Sequence, residues 1–88
     1  MSKSSHPHVQ GFRTWLRRET TYGPRTISDI VSRSRRVAAM VDILAPDNEA
    51  ELAYHLQQND AFMGCTSSVR SQLKRAALLY RAYIADQT

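Results

Sequence analysis

Apolar residues recur along this chain at helical spacing, and the pattern predicts helices over nearly all of it. From about His8 to Glu19, Val9, Phe12 and Leu16 repeat every three or four positions with Trp15 beside them, leaving Arg13, Arg17 and Arg18 toward solvent. Thr20, Thr21, Tyr22, Gly23 and Pro24 break the pattern, because proline disfavours helix in the residue before it and glycine tolerates unusual dihedrals. A second helix is expected from about Arg25 to Leu44, with Ile27, Ile30, Val31, Val37, Ala38 and Val41 as its apolar stripe. At about 100° of rotation per residue, with Ser34 at the centre of the stripe, Arg25, Ser32 and Arg36 fall on the opposite side and Arg33 and Arg35 on the flanks.

Ala45, Pro46 and Asp47 end that helix. Asn48, followed three residues later by Glu51, has the form of a capping box and opens a short third helix through about Gln58, with Leu52, Ala53 and Leu56 facing the core. Asn59 to Cys65, containing Gly64, reads as a loop whose Phe62 and Met63 tuck inward. The last helix is expected from about Ser68 to Ala85, capped by Thr66 or Ser67, with Val69, Leu73, Ala76, Ala77, Tyr80 and Tyr83 along its buried arc and Ile84 at the end of it. Arg70, Lys74, Leu78 and Arg81 follow one another at helical spacing and line a single outer ridge. The expected architecture is therefore all-α: a compact bundle of four helices in one domain over residues 8–88. A flexible polar arm over residues 1–7 precedes it, with Pro7 suited to a first helical position.

Composition agrees with one small core: 88 residues, 42% hydrophobic and 23% charged, match ordinary globular usage. Charge changes the picture more. The net charge is +4 and the basic residues are nearly all arginine, whose planar fork suits phosphate oxygens and guanine edges better than an ammonium does. It is unevenly spread, because every Lys and Arg lies in residues 1–40 or 63–88, whereas residues 41–62 carry Asp42, Asp47, Glu49, Glu51 and Asp60 with no base. The acidic middle segment is expected to face away from any polyanion.

Several chemistries lack their residues. Cys65 is the only cysteine, so no intramolecular disulfide can form, and no charged-then-apolar leader or long apolar run is present; a cytoplasmic protein without a membrane contact is expected. Placed just ahead of Thr66 and Ser67, Cys65 reads as a small residue before a helix cap rather than a reactive thiol. His6 and His8 bracket Pro7, and His55 is far from both, with no Cys or paired acid at ligand spacing, so no metal site is expected. The acids Asp47, Glu49, Glu51 and Asp60 suit helix starts and loop solvation. No phosphate loop, nucleophile elbow or glycine fingerprint occurs, so no cofactor and no small-molecule substrate is expected.

Three groups of residues together resemble a known family. They are Phe12, Trp15 and Leu16 on the first helix; Pro24-Arg25-Thr26-Ile27 opening a second helix that buries Val37 and Ala38; and the run from Gln72 through Leu73, Lys74, Arg75, Ala76 and Ala77 to Ile84. From Phe12 to Ile84 the chain resembles the N-terminal core-binding, SAM-like domain of tyrosine recombinases and phage integrases, departing from it at Ile30, where an aromatic is common. The resemblance implies a SAM-like bundle whose second and fourth helices grip one side of a DNA duplex. Carried over by position, it implicates Arg25, Thr26, Arg33 and Arg36 on the second helix and Arg70, Lys74 and Arg81 on the fourth, much the same residues that the helical rotation turns outward.

The resemblance implies no catalysis. In such recombinases the tyrosine nucleophile and its activators belong to a C-terminal domain that would begin where this sequence ends, and Tyr80 and Tyr83 fall on the core-facing arc. Two function classes follow. One is a non-catalytic module binding duplex DNA, nucleoid-associated in the cell. The other is a small protein-interaction module, of phage or mobile-element type, that inhibits or modulates a larger nucleoprotein complex through Leu78 as an apolar anchor with Arg75 beside it.

Overall fold

A computed structural model describes residues 9–87, apart from the side chain of Val9, and all regular structure among them is helical. The helices are α1 (Val9–Glu19), α2 (Pro24–Met40), α3 (Glu49–Gln57), α4 (Asp60–Met63) and α5 (Ser67–Gln87). The arm expected over residues 1–7 lies outside the described residues. The count is five where the periodicity predicts four, because Asn59 accepts a hydrogen bond from the Phe62 amide at 3.0 Å and winds the expected 59–65 loop into the short α4. That turn buries Phe62 but leaves Met63 43% exposed, so only the first of the two reaches the core.

Local chemistry explains the other boundaries. Pro24 opens α2 at its first position, where its missing N–H costs nothing. The helix stops at Met40, not Leu44: Val41 is extended, and its amide closes on the Val37 carbonyl at 2.9 Å. The chain then runs so that Ile43 enters the core at 3% exposure while the Asp42 carboxylate accepts the Leu44 amide at 3.0 Å. Asn48 caps α3 through the Glu51 amide at 2.9 Å, and Thr66 caps α5 through the Val69 amide at 3.2 Å.

The core is built on aromatics. Phe12 is fully buried, with Tyr80 edge-on at 5.2 Å between centroids and Tyr83 at 5.5 Å, and Trp15 closes the cluster 6.0 Å from Tyr83. α1 approaches α5 closely here, since a Cβ added at Gly11 would overlap the Tyr83 hydroxyl. The Trp15 indole N–H donates to the Asp86 carboxylate at 2.8 Å and ties the end of α5 to α1. Ile27, Ile30, Val31 and Val37 bring α2 onto α5, the most extensive helix pairing among the described residues. Ser34 at the centre of that stripe is fully buried and satisfies its hydroxyl on the Val31 carbonyl at 2.8 Å.

Candidate nucleic-acid interface

Three grooves sharing residues run in series around the outer side of α5. The first lies between α2 and α5, about 230 Å³, where Arg33 and Thr26 face Gln72 and Arg75. Gln72 and Arg75 also border the second, which adds Ser71, Lys74 and Leu78. Ser71 and Lys74 in turn border the third, about 530 Å³, where Arg70 meets Gln57, Gln58 and Met63 of α3, its C-cap and α4. Arg33, Arg75, Lys74 and Arg70 therefore form one basic band, and no Asp or Glu lines any of the three grooves. At its far edge the band meets the acidic segment through Gln57 and Gln58, which are neutral.

The charges of the band are not spent on carboxylates among the described residues. Among the described residues the ion pairs belong to Arg18, with Glu19 at 2.9 Å and Asp86 at 3.9 Å, on a different part of the surface. Arg33, Arg70, Lys74 and Arg75 have no such partner. Arg75 is instead oriented by an aromatic: its guanidinium donates to the Tyr22 hydroxyl and lies 5.8 Å from the centroid of that ring. Arg70 makes a weak contact to the Met63 sulfur at 3.7 Å.

The residues that the sequence nominates for DNA are distributed unequally. Thr26, Arg33, Arg70 and Lys74 come together along the band. Arg25 and Arg36 are exposed on the side of α2 away from its buried stripe, Arg36 reaching the Cys65 sulfur at 3.5 Å. Arg81 is half-buried and differently occupied, donating to the carbonyls of Ile43 at 2.9 Å and Pro46 at 2.8 Å. Leu78, nominated as a partner anchor, is half-buried within the middle groove, and Arg75, nominated beside it, is a full member of the basic band. Sequence reasoning missed Tyr22 and Gln72. Nothing in local spacing pairs Tyr22 with Arg75, 53 residues later.

Other chemistry has little to work with. Among the described residues no three of His, Cys, Asp and Glu are placed to hold a metal ion, and no helix is long and apolar enough to cross a membrane. Among the described residues, the Tyr80 hydroxyl is pushed above the usual tyrosine value first by burial and then by the neighbouring Tyr83. Both rings belong to the core cluster, not to the band. Comparison with known proteins gives no match, either to a family model or to a curated protein or solved structure.

Proposed function

We propose that this chain is a non-catalytic DNA-binding module that lays the outer side of α5 and the adjoining flank of α2 along a duplex backbone. One observation carries the reading: four basic side chains from two helices form a continuous band with no acidic residue lining its grooves and no carboxylate partner among the described residues. Unpaired guanidiniums arrayed along a groove suit a polyanion whose charges repeat at regular intervals, since each phosphate neutralised releases counterions. The likeness of Pro24-Arg25-Thr26-Ile27 and of the α5 run to recombinase core-binding domains supports the same reading, with a SAM-like bundle to which α4 is an addition. Such a module would work in the cytoplasm, on the nucleoid.

The test is binding of a random-sequence duplex, followed by fluorescence anisotropy at low ionic strength. Arg33→Gln with Arg75→Gln should abolish most of it, whereas Arg17→Gln with Arg35→Gln, which removes the same charge away from the band, should cost much less. Equal losses in the two variants, or no binding by the unmodified chain, would sink the proposal.

A second reading has its own observation. Leu78 places an apolar side chain in the middle groove between Lys74 and Arg75, an arrangement that also suits an acidic, partly apolar segment of a protein partner. On that reading the module inhibits or modulates a larger nucleoprotein complex of phage or mobile-element type, and Leu78 rather than Arg33 dominates affinity.

A further inference from the structure

The groove between α2 and α5 differs from the other two in how its cations are held. Arg33 is half-buried and has no protein acceptor among the described residues, while Arg75 is fixed against the Tyr22 hydroxyl and ring. Arg33 and Arg75 both line one hollow of about 230 Å³ whose walls include Ile30 and Ala76, both buried. Arg75 is exposed and Arg33 half-buried, so both charges stay hydrated when the hollow is empty, and two guanidinium forks at one hollow offer an anion charge-assisted bonds from two sides. Arginine offers five N–H donors, of which Arg75 uses one on Tyr22, and the Thr26 hydroxyl and Gln72 amide add neutral donors at the same rim.

We infer that this hollow is a preformed seat for one phosphoryl group, with Arg33 and Arg75 as its charged clamps and Tyr22 as the residue that positions Arg75. Lys74 and Arg70 then continue along the band as looser, solvated contacts to neighbouring phosphates. That the phosphoryl group is a DNA backbone phosphate rests on the reading above; the chemistry of the seat does not.

The seat is tested with inorganic phosphate at constant ionic strength, followed by amide shifts in nuclear magnetic resonance, with acetate as the competing carboxylate. Phosphate should give saturable shifts at Tyr22, Thr26 and Gln72 and leave Arg17 and Arg35 unmoved, and acetate should bind more weakly. Arg75→Lys keeps the charge but loses the fork, so phosphate affinity should fall roughly tenfold, the worth of one charge-assisted contact. Tyr22→Phe, which removes only the hydroxyl that orients Arg75, should weaken phosphate while leaving the spectrum of a folded protein. Shifts that rise linearly and spread equally over Arg17, Arg35 and the hollow overturn the seat, as does an Arg75→Lys variant that binds phosphate normally. Saturation by phosphate without any duplex binding keeps the seat and removes the DNA reading; duplex binding without a localised phosphate response does the reverse.

Discussion

The guanidinium of Arg81 donates to the Pro46 carbonyl at 2.8 Å, and the same nitrogen reaches the Ile43 carbonyl at 2.9 Å. Both carbonyls belong to the connection between α2 and α3, where no helix supplies them with amides. Arg81 thus clamps the 41–48 segment against α5 and keeps Ile43 in the core. A side chain that the ridge pattern assigns to DNA is occupied in holding the fold.

Removing that clamp should destabilise the domain. Arg81→Gln is expected to lower unfolding free energy by about 1.5–3 kcal/mol, the usual range for hydrogen bonds from a charged donor. Arg70→Gln, on the same ridge but making only a weak contact to the Met63 sulfur, should stay within about 0.5 kcal/mol of the parent. Urea denaturation distinguishes them, and equal stabilities would mean that the Arg81 contacts contribute nothing.

Gly11 should resist alanine although it sits in a helix. Alanine is favoured over glycine there by about 1 kcal/mol, but its Cβ would overlap the Tyr83 hydroxyl, and overpacking a core typically costs about 1–3 kcal/mol. Gly11→Ala should therefore lower the melting temperature, and Tyr83→Phe in the same chain should recover part of the loss. A Gly11→Ala variant more stable than the parent would show that α1 and α5 are not this close.

Stability should fall in alkali through Tyr80. Its folded-state ionisation lies above the unfolded one, so its contribution is fully present below about pH 10, the unfolded tyrosine value, and is lost as pH rises through the folded value. Tyr80→Phe should flatten that decline, measured as unfolding free energy between pH 8 and the alkaline limit. An unchanged alkaline profile would contradict the burial of this hydroxyl.

Leu78 separates the two functional readings. Leu78→Ala should leave duplex affinity within about twofold, since phosphate contacts come from its neighbours, whereas Leu78→Asp puts a like charge to phosphate between Lys74 and Arg75 and should weaken binding severalfold. If Leu78→Ala alone abolishes the interaction with a partner and duplex binding is absent, the protein-interaction reading takes precedence.

Much of this fold is legible in the sequence because its signals are local. The stripe from Ile27 to Val37, the burial of Ser34 within it, and the caps at Asn48 and Thr66 all follow from spacing and residue type. The end of α2 is not legible: Val37, Val41 and Leu44 continue the helical period, and only the burial of Ile43 decides that the backbone must turn extended at Val41. The four residues of α4 are too few to carry a period. At the candidate site, rotation along α5 identifies Arg70 and Lys74 correctly as outward-facing but cannot tell that the 41–48 connection crosses Arg81. Nor can it tell that Tyr22, before α2, turns Arg75 into part of the same band as Arg33. Contacts between distant segments made those differences.

The central claim is that the basic band neutralises DNA phosphates, and the salt dependence of duplex binding measures it directly. With Arg33, Arg70, Lys74 and Arg75 engaged, the logarithm of the binding constant should fall with the logarithm of salt concentration at a slope of about −3.6, and Arg33→Gln with Arg75→Gln should reduce its magnitude by about 1.8. A slope near zero, or one that this double variant leaves unchanged, contradicts the account.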